Sequence, residues 1–330
     1  MKRITVIAAV VALLAAGVAF ATGEQEMEEQ SNVIGMAKIV SHPALDGVEQ
    51  GVIDELTEQG YEFEYDLQNA NGDMTTASQI ATKFKNDGVR LAVGIATPTS
   101  QALVNALDEI PVIYSAVTDP VAAGLVDSFD QGGPNVTGVS DMTPVEAQFD
   151  LIEQLIDVEA LGHVYTSGET NAVTLAGMAE QIAADRGIEF ITSTVTNSAE
   201  VRQATQSLVD RVDVIYVSTD NTVVSALPSL IEVATNAGVP VVTADPSSAE
   251  ELGVLAALGF EYYRMGRRTG RLIIEVLEGT STSEIPTVFM TEPEDTALLL
   301  NLDVADELGI DVPESVIDNA SVIIEDGEVR

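Results

Sequence analysis

From Val33 onward, short apolar runs that read as strands alternate with stretches that read as helices, and no other feature limits the fold of this chain so strongly. Val33–Val40 has the pattern of a buried strand. Ala44–Gln59 follows with Leu45, Val48, Val52, Ile53 and Leu56 at the spacing of one helix face. Tyr61–Leu67 alternates as a second strand. Asp73 and Thr75 stand where an N-cap is expected, and a helix runs from there to about Asn86. Leu91–Ile95, Thr99–Leu107 and Pro111–Tyr114 continue as strand, helix and strand. The alternation resumes with Leu161–Thr166, Val173–Arg186, Glu189–Val195, Val201–Val209, Val212–Val217, Ala226–Ala237 and Pro240–Thr243. Strands alternating with helices make βαβ units and parallel sheets covered on both faces. Two such runs, divided near Asp141–Pro144, predict an α/β protein of two doubly wound parallel-sheet lobes.

The two runs also resemble each other. Leu91–Ser100 leads into a helix and then into Ile110-Pro-Val-Ile-Tyr-Ser-Ala-Val-Thr-Asp-Pro120. Val214–Thr222 leads into a helix and then into Val239-Pro-Val-Val-Thr-Ala-Asp-Pro246. Each half gives a strand, a Thr-containing turn, a helix, an apolar-Pro strand and a closing Asp-Pro. Ligands of such sheets bind beyond the carboxyl ends of the strands, where these four loops fall. If the lobes face each other, the loops line a single cleft.

Composition removes most chemistry from that cleft. The 330 residues carry 53 Asp and Glu against 14 Lys and Arg, a formal net charge of −39 that repels phosphate backbones, so no nucleic-acid partner is expected. There is no Cys, which removes disulfides, thiol catalysis and thiolate metal sites, and only His42 and His163 supply imidazole. No G-x-G-x-x-G, Walker-type Gly-Lys-Ser/Thr, G-x-S-x-G or H-E-x-x-H occurs. The expectation is a binding protein with no catalytic residues, no cofactor and no metal. Arg264, Arg267, Arg268 and Arg271 form the one basic cluster, at spacings that let them pair with local carboxylates. The dispersed acidity, with Lys limited to positions 2, 38, 83 and 85, fits either a surface adapted to high salt, where screening shortens self-repulsion, or ordinary solubility.

Lys2 and Arg3, the apolar run Ile4–Phe20 and the small-x-small ending Ala19-Phe20-Ala21 read as a secretory signal peptide over residues 1–21, rather than an uncleaved anchor. No Cys follows it, so the mature protein is expected to be periplasmic or otherwise extracytoplasmic, without a lipid, and monomeric.

At the loops the available chemistry is recognition. Thr97, Pro98, Thr99 and Ser100 open a helix whose free N–H groups and dipole suit a carboxylate; capping by Thr97 is the alternative. Asp220 and Asn221 hold the matching place in the second half, where Asp220 either caps its helix or accepts from a ligand ammonium. Asp119 and Asp245, each before a Pro, are turn-formers or ligand carboxylates. Glu169 and Asn171 lie on a polar loop that is either solvated or part of the cleft. His42 stands over the same cleft as a ligand group or a packing residue.

Several segments then carry a family resemblance: Ser41-His-Pro-Ala-Leu-Asp46, Gln68-Asn-Ala-Asn-Gly-Asp73, Ile95-Ala-Thr-Pro98, Ala116-Val-Thr-Asp-Pro120, Asn135-Val-Thr-Gly-Val-Ser-Asp-Met142, Tyr216-Val-Ser-Thr-Asp-Asn-Thr222 and Leu258-Gly-Phe-Glu-Tyr-Tyr263. In that order they resemble the substrate-binding proteins of ABC importers in the tryptophan/aromatic amino-acid-binding family, from about Val33 to Gly279. The resemblance implies the type I periplasmic-binding-protein fold with three crossovers, near Asp141–Pro144, Leu258–Phe260 and Thr287–Thr291. An N-terminal lobe would then comprise residues 32–142 and 259–287, and a C-terminal lobe 143–258 and 288–330, including a Leu298–Leu308 helix and a Ser321–Ile324 strand. It adds Thr118, within Ala116–Pro120, to the candidate ligand residues. It further implies capture of a small amino-acid-like ligand, an aromatic amino acid in characterised members, and delivery to ABC permease subunits. An exported ligand-sensing module for a chemoreceptor or kinase would share these features. If the acidity is an adaptation to high salt, the unfolding midpoint should rise as salt is added; a midpoint indifferent to ionic strength points to plain solubility.

Overall fold

The computed structural model describes residues 31–249 and 253–330; the predicted signal peptide over 1–21 lies outside the described residues. Two sheets carry the fold. The first orders its strands β2 (Glu64–Asn69), β1 (Val33–Lys38), β3 (Leu91–Ile95), β4 (Val112–Ser115), β5 (Val136–Ser140) and β11 (Val288–Phe289), every neighbouring pair parallel. The second runs β7 (Glu189–Val195), β6 (Ala160–Thr166), β8 (Val214–Val217), β9 (Val241–Thr243), β10 (Ala256–Phe260), β12 (Thr296–Asn301), β13 (Val322–Glu325) and β14 (Glu328–Val329). It is parallel from β7 to β10, antiparallel between β10 and β12, and antiparallel again between β13 and β14. The central strands read as unbroken Val, Ile and Ala because helices cover both faces. Val93, Ile113, Ile215 and Val242, for example, are wholly excluded from water.

The strand order reverses at β1/β3 in one sheet and at β6/β8 in the other, and at each reversal neighbouring crossover helices leave to opposite faces. The chain passes between the sheets three times: after β5, after β10 and after β11. Gln148 ties the first passage to β10, the strand that leads into the second. Its side-chain amide, wholly buried, donates to Thr143 Oγ1 at 2.6 Å and to the Leu258 carbonyl at 2.8 Å, and its oxygen accepts from Tyr216 at 2.5 Å.

The expected Leu298–Leu308 helix is corrected. Leu298, Leu299 and Leu300 belong to β12, and only Leu302–Leu308 is helical. An apolar run of that length serves a buried strand as well as a helix. The boundary is set by Asn301, whose side chain accepts from the Val304 N–H and so starts the helix late.

Helix Pro43–Glu58 lies along helix Tyr262–Leu277 at backbone contact. A Cβ on Gly51 would collide with the Tyr263 carbonyl oxygen, and one on Gly266 with the Val48 carbonyl oxygen. Beside that crossing, buried Glu55 accepts from Arg267 at 2.5 Å and from Arg271 at 3.2 Å, and its pKa is held down by these hydrogen bonds against the opposing effect of burial. Arg268 reaches Asp295 at 3.4 Å, so three of the four clustered arginines are paired.

Two alanines at strand ends have backbone angles that favour glycine. Ala96 (φ 77°, ψ 161°) precedes helix Thr97–Ala106, and Ala116 (φ 55°) follows β4. Such a conformation costs a non-glycine residue about 1–3 kcal/mol. Ala96→Gly relieves it at an unfolded-state cost of about 0.4–1 kcal/mol, so the melting midpoint should rise by about 2–4 °C. Gly266→Ala, forced against the Val48 backbone, should lose about 3 kcal/mol. Thermal unfolding followed by circular dichroism reads both; an Ala96→Gly variant that melts lower than the parent contradicts the strain.

Candidate ligand-binding site

One cavity is walled by residues that immediately follow the strands of both sheets. His42 and Leu45 come from the segment after β1, Ala116 and Thr118 from that after β4, and Asp141 from the residue after β5. The second sheet contributes Asn171 after β6, Thr219, Asp220, Asn221 and Val224 after β8, Asp245 after β9 and Tyr262 after β10. The cavity holds about 300 Å³ of space not filled by atoms, part of it open to solvent. Direct bonds cross between the lobes beside it: Gln101 Nε2 donates to Thr170 Oγ1 at 3.5 Å, and Ser248 Oγ meets His42 Nδ1 at 3.4 Å.

Of the residues expected from the sequence, the structure brings His42, Thr118, Asn171, Asp220, Asn221 and Asp245 to this cavity. Thr97, Pro98, Thr99, Ser100, Asp119 and Glu169 do not form its walls. Thr99 and Ser100 turn their hydroxyls onto the carbonyls of Ile95 and Gly94, each also reaching that of Ala96. Thr97 differs, because its buried hydroxyl has no partner and its N–H lies in the first turn, where no helical acceptor exists. Asp119 accepts from the N–H groups of Val121 and Ala122, the turn-forming role of an Asp before Pro.

Glu169 organises the second wall from behind. It accepts from Asn171 at 3.2 Å, from Asn221 at 2.6 Å, and from both the N–H (3.2 Å) and hydroxyl (2.7 Å) of Thr222. With the Asn171 amide nitrogen committed to Glu169 and to the Thr219 carbonyl, its oxygen is left buried without a donor. Thr219 Oγ1 and His42 Nε2 are likewise buried and unpartnered. Orphaned buried polar atoms cost free energy, and their gathering in one cavity marks a place where another molecule completes the bonding.

The electrostatics are one-sided. Asp141, Asp220 and Asp245 are all at least 95 % excluded from water, and no Lys or Arg among the described residues lines the cavity. Burial pushes Asp141 up to about 6, opposed by hydrogen bonds from Thr118 and Tyr262. Burial and the nearby Glu169 charge push Asp220 up as well. Burial lowers the His42 pKa, so its imidazole is neutral at pH 7 despite the surrounding carboxylates. Asp220 is also the N-cap of helix Asn221–Ser225: it accepts from the Val223 N–H and from the Thr166 N–H and hydroxyl.

Sequence reasoning missed Leu45, Ala116, Asp141, Thr219, Val224 and Tyr262 as cavity residues. The signal that could have found them is position, since the C-terminal ends of the strands in a doubly wound sheet face the ligand. Tyr262, just after β10 at the second passage, walls the cavity, and its hydroxyl donates to Asp141 Oδ2.

Comparison with known proteins agrees with this architecture. Residues 33–324 match the family described as ABC transporter substrate binding protein. A tyrosine-binding protein of Clostridioides difficile (strain R20291) is 36% identical over 310 residues, which are 92% of this chain and 88% of that protein. A crystal structure from Streptococcus pneumonia in complex with L-Trp is 33% identical, covers 89% of this chain and 100% of its own, and superposes with a TM-score of 0.85. The ligand-free, open structure of a substrate-binding protein with adhesive properties from Clostridium difficile is 34% identical over 89% of this chain and 99% of its own, yet its TM-score is 0.66. With identity and coverage nearly the same, this chain superposes more closely on the ligand-bound relative than on the ligand-free, open one. Two mostly parallel α/β lobes give the type I periplasmic-binding-protein fold, and the chain belongs to the substrate-binding protein family of ABC transporters.

Proposed function

We propose that this protein captures an aromatic amino acid between its two lobes and delivers it to the permease subunits of an ABC importer. The observation that carries the reading is the buried set of carboxylates and orphaned acceptors with no basic side chain to neutralise it. A ligand that brings its own ammonium satisfies both at once, because buried charge is tolerated only when paired and hydrogen-bonded. The ligand carboxylate finds a donor on the other side in a neutral His42 protonated at Nε2, the ring nitrogen that is buried without a partner. Leu45, Val224 and the Tyr262 ring offer apolar surface to a side chain. The tyrosine-binding and L-Trp-bound relatives support an aromatic one.

In this reading the lobes follow the two sheets, so the expected bounds (32–142 with 259–287, and 143–258 with 288–330) shift to keep β10, which ends at Phe260, in the second lobe and β11 (Val288–Phe289) in the first; the lobes swing about the three passages and close on the ligand. The mature chain works as a monomer outside the cytoplasmic membrane, exported by the signal peptide over 1–21 and carrying no lipid. The expected ligand residues are His42, Thr118, Asn171, Asn221 and Asp245. Asp220, Glu169 and Asp119 shape the loops that carry them.

Titration calorimetry with L-tyrosine and L-tryptophan should give micromolar or tighter binding, with L-alanine at least about a hundredfold weaker. Asp245→Ala and Asn171→Ala should each weaken the aromatic ligand by about tenfold or more. Wild-type affinity in both variants would remove these residues from the site, and no heat with either aromatic amino acid would overturn the reading.

A further inference from the structure

Three buried carboxylates reach the cavity, and their hydrogen bonds separate them. Asp220 accepts from the Val223 N–H at 3.0 Å, from the Thr166 hydroxyl at 2.8 Å and from the Thr166 N–H at 2.5 Å, so both oxygens hold the fold together. Asp245 gives one oxygen to the Ser248 N–H at 3.1 Å. Asp141 takes one side-chain hydroxyl on each oxygen, Thr118 donating to Oδ1 and Tyr262 to Oδ2, each at 3.0 Å. An ionised carboxylate has about four acceptor positions, so Asp141 keeps capacity for a further donor.

Its place in the chain is as telling as its bonds. Asp141 is the first residue of the first passage between the sheets, and Tyr262 follows β10 at the second. Both are at most 4 % exposed, and both wall the cavity. The groups that face Asp141 are Thr118 from the segment after β4, Tyr262 from helix Tyr262–Leu277 and the Asp245 charge from the segment after β9. No cation is among them. Neutral His42 and the Asp220–Glu169 pair complete the titratable groups around the cavity.

Resting on the amino-acid reading above, we propose that Asp141 is the specificity-determining residue for the ligand's α-ammonium, binding it jointly with Asp245, and that Tyr262 is a positioning residue that holds the Asp141 carboxylate toward it. The ammonium is thereby read by the hinge itself. A cation seated there bonds the first passage of the chain and the segment after β9 together, which favours the closed arrangement. Ligands without a free ammonium, deaminated or N-acylated, lose this contact.

The test compares L-tyrosine and L-tryptophan with 3-(4-hydroxyphenyl)propionate and 3-indolepropionate, the same molecules without the amino group, by calorimetry on the full chain. The wild type should favour the amino acids by about a hundredfold or more. Asp141→Asn should weaken the amino acids by about a hundredfold and leave the deaminated analogues within about threefold, collapsing the discrimination. Tyr262→Phe should weaken only the amino acids, by about tenfold. An Asp141→Asn protein that still discriminates a hundredfold overturns the proposal and leaves the amino-acid reading intact; a wild type that binds neither amino acid overturns both.

The pH profile of the wild type gives a second readout that needs no variant. The raised carboxylate is protonated as the pH falls through about 6, and an ammonium prefers it ionised, so amino-acid affinity should drop between pH 7.5 and pH 5 while analogue affinity does not. Amino-acid binding that is flat across that interval counts against Asp141.

Discussion

Removing a carboxylate from water is among the costliest operations in folding, and this chain performs it repeatedly at the ends of its strands. Asp141, Glu169, Asp220 and Asp245 are all buried, and none of them pairs with a Lys or Arg among the described residues. What offsets the cost is a dense set of neutral donors, including Thr166, Thr222, Asn221, the Val223 and Ser248 N–H groups, Thr118 and Tyr262. Those donors come from loops far apart in sequence, so satisfying the carboxylates fixes the loops relative to one another. The negative potential that remains is the property that selects a ligand. A chain at −39 already repels anions at long range, and the cavity sharpens the preference for a molecule bearing a positive group.

The contacts around the passages between sheets show how such selection couples to motion. Gln148 bonds the first passage at Thr143 to Leu258 in β10, the strand that leads into the second, and Arg268 pairs with Asp295 near the third. The direct bonds between lobes are few and long by comparison, Gln101 to Thr170 at 3.5 Å and His42 to Ser248 at 3.4 Å. The hinge is therefore well determined, while the lobes touch weakly. A ligand that bridges them supplies the differential interaction that a shift between open and closed states requires.

Much of the fold was legible because burial on both faces leaves strands with a compositional signature. Leu91–Ile95 and Glu189–Val195 fall where the sequence places them, and Asp73 caps its helix by accepting from the Thr76 N–H as an Asx cap should. The failure at Leu298–Leu308 has a local cause: an apolar run carries no period of its own, and the deciding bond is that of a single Asn side chain. The cavity was half legible. Polar residues after a strand announce themselves, as Asn171, Asn221 and Asp245 do. Leu45, Val224 and Tyr262 resemble core or connector residues until the sheets are assembled, and the inward turn of the Thr99 and Ser100 hydroxyls depends on the unusual backbone at Ala96.

The glycine contact between helices Pro43–Glu58 and Tyr262–Leu277 reaches further than packing. Both helices begin at the cavity, one just after His42 and the other at Tyr262. Because their backbones touch without intervening side chains, they cannot slide or roll past each other, and they travel as a single strut braced by the Glu55 ion pairs. An imidazole on one rim and a phenol on the hinge thus keep a constant separation however far the opposite lobe swings, so that half of the recognition surface is already set before anything arrives.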